Sequence, residues 1–559
     1  MKLKTIFLYS LLVFFIIFFI FLFVFNGVNV IFSNSNLKNS PSHYLQQHDR
    51  DFVNWNIWSV ETLKHAQEQN KPLFISIGFA TCYWCHYIQR EVYKHPVSSK
   101  IINRYFVPVL IDRHQLPEID KLYMELMLHQ MGSSGWPMII VTTPDGIPLY
   151  FNRWSNRKDL MVALSNIRRD WMQDSDSVQK FANEWLDDYI SIKEKKKLNP
   201  VISLDDNLSN FLELNLDLDF GGLLQQNKFP YFRNFVILKS LGYVSSSDIS
   251  LLVNNVIKSP LFDFIEGGVH RYSSESDWTR PHYEKLLIDQ VSFIQILIEQ
   301  YLSFKDPIYL DYIEFNLAFI LDHLKDPKGY FYTGVDSGDI NQEGRYYFFN
   351  DQALEGISPS LFKQFTTLMN HSALALTSVY DLHQVNRKSL LLFRQNSKFK
   401  LKKDLFFSII DNSLLLKTLY QVRNELGIKL YGDIEDALRL VLIDQVSNQR
   451  TLLESFYLYD VLSLYNNDLI TNQLHAMIQS RLKSEFPYYK SDIFINERLL
   501  ENDFLDDYHY DQILYFILKY FNHFKHDKSL SQVCESVRNL IYTPWYQLSL
   551  IDSYKKYCK

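Results

Sequence analysis

Two cysteines three positions apart, Cys82 and Cys85, are the residues of this chain whose types and spacing best support chemistry. They follow an apolar run at residues 72–79 that has the length of a buried strand. The residues after Cys82 are predicted to form a helix, and the unpaired N–H groups at a helix N-terminus favour a thiolate over a thiol. The spacing therefore predicts thiol–disulfide exchange, with Cys82 as the nucleophile and Cys85 as the thiol that resolves the mixed disulfide.

The same motif permits three other interpretations. With His86 directly after the second cysteine, it is also the attachment motif of c-type haem, in which the histidine is an axial ligand. A zinc site needs four ligands, and no second Cys/His pair with suitable spacing is visible. A structural disulfide is the third interpretation. We expect no cofactor or metal beyond the redox-active disulfide, and haem attachment stays as a lesser alternative.

The elements that must position this pair follow it in an informative order. A strand is predicted at residues 107–111, then a helix, then a strand at residues 138–142 that begins directly after Gly-Trp-Pro at residues 135–137. A proline before a strand is a position where a cis peptide bond is useful. The turn at residues 144–146 then leads into a strand at residues 147–151. This is the order of elements in the thioredoxin fold.

Several side chains around the pair have predicted roles in positioning the substrate. Trp84 and Tyr83 would supply an apolar surface for an extended peptide. His86, if protonated, would stabilise the thiolate, and otherwise it is a surface residue in contact with solvent. Pro137, if cis, would lie against the cysteines and present the backbone of Trp136 to the substrate.

Other polar residues near the motif leave alternatives open. Asp112 and Arg113 end a predicted strand, from which they either reach the site or form a surface ion pair. No buried carboxylate suited to relay protons can be distinguished, so the direction of electron flow is open. Cys534 and Cys558 lie in a helical tail, either as a pair or, as we favour, as unpaired core or surface residues.

Short motifs recur along the chain between residues 52 and 350. The matching residues are Asn54-Trp55, Trp58, Lys71-Pro72, residues 82–86, Asp112-Arg113, residues 117–120, 135–137, 219–222, 228–230, 267–272, 281–286, 289–290 and 343–347. On these motifs the chain resembles a widespread family long labelled only as a domain of unknown function, whose mammalian members are called spermatogenesis-associated proteins. The resemblance implies a thioredoxin domain over residues 52 to about 175.

Past Asn199-Pro200 the hydrophobic periodicity is helical. It predicts a hairpin of strands at residues 330–333 and 345–349 and helices at residues 284–304, 307–324, 414–426, 434–446, 452–465 and 506–524. The family resemblance implies that this part is an all-α six-hairpin (α/α) toroid, similar to glycoside hydrolases and N-acylglucosamine 2-epimerases. The chain is shorter than typical members and departs from the family after about residue 370, so an incomplete toroid is part of the prediction.

The toroid supports a second functional hypothesis in carbohydrate chemistry. Paired carboxylates serve glycoside cleavage, and an epimerase needs a histidine base beside the sugar carbon. The structural interpretation, or ligand binding without turnover, is the one we favour for these residues. The candidate residues are His270, Arg271, His282, Glu284, Asp336 and Glu343.

Composition and the N-terminus define the expected partners. The 559 residues carry a net charge of −6 without a basic block beyond residues 193–197, so nucleic acid is not expected as a partner. Residues 6–25 are uncharged and long enough to span a bilayer, with Lys2 and Lys4 before them. The positive-inside rule then predicts one N-terminal membrane anchor with the bulk of the chain extracytoplasmic, and a cleaved signal peptide is the alternative.

The predicted fold class is therefore multidomain, with a transmembrane helix, an α/β thioredoxin-like domain and an all-α six-hairpin toroid. The expected boundaries are residues 1–33 for the anchor or signal peptide, 40–185 for the thioredoxin-like domain, 186–200 for a linker and 201–559 for the toroid. The predicted function is thiol–disulfide exchange on protein thiols and disulfides, with the toroid binding substrate or glycan. A carbohydrate-active enzyme is the alternative.

Overall fold

The structure has an α/β part followed by a mostly helical part. It is a computed structural model that describes residues 34–153, 156–197, 204–225, 227–338, 342–347, 391, 394–396, 399–447, 452–465, 468–485, 556 and 558. We call residues 34–197 the sheet region and residues 204–485 the helical region.

A five-stranded sheet forms the centre of the sheet region. Its strands are β1 Asn56–Ile57, β2 Leu73–Gly78, β3 Val107–Asp112, β4 Met138–Thr142 and β5 Pro148–Asn152. They are ordered β1-β3-β2-β4-β5, with β1, β3 and β2 parallel and with β4 and β5 antiparallel to their neighbours. The four strands predicted for this region, β2 to β5, are all present, within one residue of the expected ends.

Helices cover both faces of this sheet, which explains why every residue of β2, β3 and β4 is buried. On one face Ile75 and Ile77 pack with Leu122 and Leu186, and on the other face Phe74 packs with Ile88 and further helical residues. The helices of the sheet region are α1 Ser35–Lys38, α2 His43–Gln47, α3 Val60–Glu68, α4 Tyr83–Ile88, α5 Pro96–Tyr105, α6 Pro117–Met131, α7 Arg157–Gln173 and α8 Ser175–Lys197.

The segment predicted as a linker, residues 186–200, is helical over its first part. Helix α8 continues through residue 197, and its residues Leu186 and Tyr189 are buried in the core on one face of the sheet. Residues 198–200 lie outside the described residues. The domain boundaries themselves stay predictions.

The helical region is built from helices around one large apolar core, with three short strand pairings at its edge. Two strands, β6 Tyr272–Ser273 and β7 Pro281–His282, form one hairpin, while β8 Lys285–Leu286, β9 Gly334–Val335 and β10 Lys403–Asp404 form a three-stranded sheet. The helices are α9 Leu204–Asn215, α10 Phe232–Ser240, α11 Ser246–Ile257, α12 Leu287–Phe304, α13 Ile308–Phe319, α14 Ile409–Leu426, α15 Gly432–Asp444, α16 Leu452–Leu462 and α17 Asp468–Glu485.

Most predicted helices of this region are present, but the predicted hairpin is wrong. Of residues 330–333, Phe331 makes a single bridge to Lys325, and residues 342–347 form turns. The strand that does form here, β9, pairs with β8 and β10, which are distant in sequence. The helix predicted at residues 506–524 and the strand end at residues 348–349 lie outside the described residues.

The predicted membrane anchor is corrected. Among the residues that the structure describes, no helix is both long enough and apolar enough to cross a membrane. The segment on which that prediction rested, residues 6–25, lies outside them. On this finding the fold class with a transmembrane helix and the membrane-anchored, extracytoplasmic location are wrong. The fold that the structure supports is a mixed α/β N-terminal region with a mostly helical remainder.

Candidate functional site

Cys82 and Cys85 lie at the start of α4 and form a disulfide, with their Cα atoms 5.2 Å apart. Cys82 is the N-cap of α4, and its sulfur accepts a hydrogen bond from the backbone N–H of Cys85 at 3.1 Å. Both side chains are buried, with 4% and 1% of their surfaces exposed. The order of accessibility agrees with the predicted roles, although even the first cysteine is far less exposed than an attacking thiol on an open surface.

Gly78, at the end of β2, provides the space that Cys85 occupies. A Cβ atom at Gly78 would lie 2.8 Å from the sulfur of Cys85 and 2.5 Å from the hydroxyl oxygen of Tyr44. The missing side chain therefore lets a phenol and the resolving sulfur approach the same point of the sheet. Burial raises the pKa of Tyr44 well above its ordinary value, so this hydroxyl stays protonated and can act as a donor.

His86 is held by the backbone of the turn that precedes Cys82. Its Nε2 donates to the carbonyl oxygen of Ala80 at 2.8 Å, and burial lowers the pKa of the imidazole to about 4. The ring is therefore neutral at pH 7 and supplies no positive charge to the thiolate. The ring holds the turn before Cys82, and part of the residue stays exposed.

The peptide bond between Trp136 and Pro137 is cis, as predicted. The indole N–H of Trp136 donates to Asp120 at 2.6 Å, and two guanidinium groups lie over its ring, that of Arg113 at 4.3 Å and that of Arg271 at 5.0 Å. Arg113 thus reaches the site. Its neighbour Asp112 does not line the cavity described next, because it is buried and accepts from Ser42 and from the backbone of His114.

Cys82 opens onto a cavity of about 1060 Å³ whose walls come from both regions of the chain. The sheet region supplies, among others, Trp84, Arg113 and Trp136. Four of the six residues predicted as a separate carbohydrate site line the same cavity from the helical region: Arg271, His282, Glu284 and Glu343. The sequence suggested two separate sites, but residues of both line one cavity.

The two remaining candidates of that set lie elsewhere. His270 is buried and its Nδ1 donates to the carbonyl of Tyr283 at 3.0 Å, while burial lowers the pKa of its ring well below the ordinary value. Asp336 accepts from the backbone N–H groups of Gly338 and Lys402, and burial raises its pKa to about 6. Both support loops and neither is among the residues that line the cavity.

Charged residues at the cavity wall are only partly paired. Arg271 donates to one oxygen of Glu284 at 2.9 Å, and the second oxygen, Oε2, is buried without a hydrogen-bond partner. Asp289 is similar, because its Oδ2 has no partner. Burial raises the pKa of Asp289 to about 7, against the opposing effect of Arg271 and Arg113, and Asp411 adds to the rise. A carboxyl group with its pKa raised to about 7 therefore lines the same cavity as Cys82.

A second pair lies at another part of the wall. Nδ1 of His282 is 3.0 Å from Oε1 of Glu343, and the imidazole stacks on the ring of Tyr272 with centroids 4.2 Å apart. Across the described residues, no group of three or more His, Cys, Asp and Glu side chains is arranged to hold a metal ion.

Part of the chain is similar to a known protein family. Residues 34–189 match the family model Thioredox_DsbH, which is described as a protein of unknown function, DUF255. The match covers the whole five-stranded sheet and both cysteines, so the resemblance predicted from the short motifs is confirmed.

Curated relatives extend the similarity beyond the Thioredox_DsbH domain. Spermatogenesis-associated protein 20 of Rattus norvegicus is 26% identical over 353 residues, which is 58% of this chain and 44% of that protein. Its Homo sapiens counterpart is 26% identical over 348 residues, 57% of this chain and 44% of that protein. An uncharacterized protein of Caenorhabditis elegans is 29% identical over 282 residues, 47% of this chain and 39% of that protein. The chain spans less than half the length of the curated relatives it matches.

Several residues of the site were missed by the sequence reasoning. Asp120 and Asp289 occur in the short motifs on which the family resemblance rests, but a motif does not show whether a carboxyl group is buried. Asp411 and Tyr44 carry no local signal, because they approach the cysteines only through the packing of α14 and α2. Of the other cysteines, Cys558 is disulfide-bonded, which contradicts the favoured prediction of an unpaired residue, and Cys534 lies outside the described residues.

The raised pKa of Asp289 predicts a pH-dependent effect of Asp289→Asn on stability. In the unfolded chain the carboxyl has its ordinary pKa of 3.8, and burial raises the pKa in the folded protein to about 7, so the folded protein binds the extra proton between these values. Wild-type stability should therefore fall relative to the variant as pH rises from about 4 to 7, and the difference should be constant above that. Each unit between the two pKa values corresponds to about 1.4 kcal/mol as an upper bound.

The measurement is the free energy of unfolding in urea from pH 4 to pH 8. Asp311→Asn, which removes an exposed carboxyl group on α13, supplies the control curve. A difference between wild type and Asp289→Asn that does not change over this range would contradict the burial of the Asp289 carboxyl.

Proposed function

We propose that this chain is a thiol–disulfide oxidoreductase that works through Cys82 and Cys85. The observation that carries the proposal is the position of the Cys82 sulfur, which is half of a disulfide, accepts the Cys85 N–H at 3.1 Å and lines a cavity. An N–H that donates to the sulfur stabilises the thiolate more than the thiol, which lowers the pKa of a cysteine. A purely structural disulfide needs no such cavity beside it.

The exchange balances with the groups that are present. In the reduced protein, the Cys82 thiolate attacks one sulfur of a substrate disulfide, the substrate S–S bond breaks and one thiolate leaves. Cys85 then attacks the Cys82 sulfur, the protein disulfide forms and the second substrate thiol leaves. Two electrons pass from the protein dithiol to the substrate, and the reverse sequence oxidises a dithiol. Asp289, with a pKa near 7, is suited to exchange the proton of a thiol in this cavity.

The cavity limits which substrates can reach Cys82 and Cys85. Because the cysteines are buried, a substrate sulfur must reach Cys82 through the cavity that Trp84, Trp136 and residues of the helical region line. Aromatic side chains in such a lining suit an extended peptide or a small organic thiol.

A single-turnover reaction tests this function. The full chain is reduced, freed of reductant and mixed with bis(2-hydroxyethyl) disulfide, and the state of each cysteine is read by alkylation and mass spectrometry. We expect quantitative conversion to the Cys82–Cys85 disulfide with release of two thiols, and a rate at least about 10³-fold lower in Cys82→Ser. Two results would refute the function. One is a Cys82–Cys85 disulfide that cannot be reduced while the protein is folded, and the other is an equal rate of reaction with the disulfide in the wild type and in Cys82→Ser.

Carbohydrate chemistry is the second candidate, because Glu284 and the His282–Glu343 pair line the same cavity. Carboxylates and a histidine around a small-molecule cavity suit hydrolysis or epimerisation of a sugar. This candidate predicts turnover that survives Cys82→Ser and is lost in Glu284→Gln and in His282→Ala. If no sugar is turned over, and only the disulfide exchange that depends on Cys82 is detected, the cavity is assigned to thiol chemistry alone.

A further inference from the structure

Tyr44 carries a buried hydroxyl group beside the cysteine pair, and this hydroxyl forms no hydrogen bond in the structure. The residue is 1% exposed, and its oxygen is buried without a partner at hydrogen-bond distance. A buried hydroxyl that has lost its bonds to water costs free energy, and a buried tyrosine usually has a hydrogen-bond partner. A phenylalanine would fill the same space without this cost, so the hydroxyl needs an explanation.

The hydroxyl of Tyr44 and the sulfur of Cys85 border the same space. Side chains alternate along β2, so Gly78 is on the same side of the sheet as Phe74, which packs with the cysteines. A Cβ atom at Gly78 would lie 2.5 Å from the hydroxyl oxygen of Tyr44 and 2.8 Å from the sulfur of Cys85. The two atoms are therefore separated by no more than the space of one missing methyl group.

The other polar groups around Tyr44 already have partners of their own. The hydroxyl of Ser76 accepts from Tyr93 at 2.8 Å, and both Asp51 and Asp112 accept from other side chains. Burial raises the pKa of Tyr44 well above its ordinary value, the charges of Asp112 and Asp51 add to the rise, and Ser76 opposes it. The phenol therefore keeps its proton and has a hydrogen bond to donate.

Reduction of the disulfide creates the acceptor that the phenol lacks. When a substrate thiolate attacks the Cys82 sulfur, the protein S–S bond breaks and its electron pair stays on the sulfur of Cys85. A disulfide sulfur is a weak acceptor, whereas a thiolate is a charged one and forms a stronger hydrogen bond. Cys85 is only 1% exposed, so water cannot stabilise this charge, and a donor inside the protein has a large effect.

We infer that Tyr44 donates a hydrogen bond to the sulfur of Cys85 in the reduced protein and thereby makes the cysteine pair a stronger oxidant. The inference rests on the proposed thiol–disulfide exchange and names the residue that shifts its equilibrium. The bond forms only after reduction, so it stabilises the dithiol form relative to the disulfide form. Two electrons pass from a substrate dithiol to the protein disulfide, the substrate S–S bond forms, and the phenol keeps its own proton throughout.

Tyr44→Phe tests the inference, because it removes the hydroxyl and leaves the ring. The full-length variant and the wild type are equilibrated with graded ratios of reduced to oxidised dithiothreitol, and the state of both cysteines is read by alkylation and mass spectrometry. We expect that half-reduction of the variant needs a ratio about tenfold higher than in the wild type. For a two-electron couple this is a fall in reduction potential of about 30 mV.

Tyr123→Phe is the matched control, since it removes another buried phenol oxygen from the opposite face of the sheet. Its hydroxyl donates to the carbonyl of Gly146 at 3.0 Å, away from the cysteines, so the half-reduction ratio should change by less than about twofold. Unfolding in urea supplies a second readout. Tyr44→Phe should destabilise the reduced protein but not the oxidised one, in which the hydroxyl has no partner.

Three results would overturn the inference while the proposed function stands. They are a half-reduction ratio that changes by less than about twofold in Tyr44→Phe, an equal change in Tyr123→Phe, and an equal loss of stability of Tyr44→Phe in both redox states. The last result would assign the hydroxyl a purely structural role. A wild-type disulfide that stays oxidised at every ratio while the protein is folded would overturn both the inference and the proposed function.

Discussion

The Cys85→Ser variant should accumulate a stable mixed disulfide at Cys82 when it meets a small disulfide. In wild type the second thiol is one helical turn away and already in contact with the first sulfur, so resolution is intramolecular and fast. Without Cys85, the adduct can be released only by an external thiol. We expect the lifetime of the adduct to increase by about 10³-fold or more, measured by intact mass after bis(2-hydroxyethyl) disulfide is added to the reduced protein.

Cys82→Ser is the matched control for that experiment. Cys85 is almost fully buried and is not among the residues that line the cavity, so it should form little adduct by itself. Equal adduct formation in the two variants would show that the roles of the cysteines are not distinct. Adduct formation in neither variant, with an intact fold, would mean that the disulfide is structural.

Asp263→Asn should destabilise the folded protein by about 3 to 5 kcal/mol, the largest stability effect that we expect from a single charge. Asp263 accepts from Nζ of Lys285 at 2.8 Å and from Nη1 of Arg394 at 2.7 Å. Although burial raises its pKa, the two cations hold the pKa of this carboxyl far below its ordinary range. Without the carboxylate, two buried cations lose their shared partner, and Glu266 stays as the only described carboxylate on Arg394.

The effect on the site follows from chain connectivity. Lys285 directly follows Glu284, and the loop that begins at Asp263 leads to Arg271, so the ion cluster supports one wall of the cavity. Unfolding in urea measures the loss. Asp436→Asn, which removes an exposed carboxylate paired with Arg439 on one helix, is the control and should change stability by less than about 0.5 kcal/mol. A similar loss in both variants would contradict the role of the buried cluster.

The sheet region was predictable because its signals are local. Strands β2, β3 and β4 are short apolar runs of the right length, and the proline before β4 marks the cis peptide bond. The spacing of Cys82 and Cys85 predicts that the two thiols lie close together, and the structure joins them in a disulfide. These features depend on residues that are neighbours in sequence, and the known order of elements in the fold supplies the rest.

The cavity was not predictable in the same way, because its charges come from distant parts of the chain. Arg271 and Arg113 lie over the same indole ring of Trp136, although they are far apart in sequence. Periodicity does not report such contacts, nor does it report that Asp289 is buried on a helix beside Glu284. The protonation state of His86 was open for the same reason, since the charge of an imidazole depends on burial and on one carbonyl, that of Ala80.

A redox titration of the full-length chain tests most directly whether Cys82 and Cys85 are a working thiol pair. The folded protein is equilibrated with graded ratios of reduced and oxidised dithiothreitol, quenched by alkylation and analysed as the peptide that contains both cysteines. We predict a reversible transition in which both thiols appear together, with unfolding monitored in parallel and absent. A pair that stays oxidised at every ratio until the protein unfolds would contradict the proposed function and make the disulfide structural.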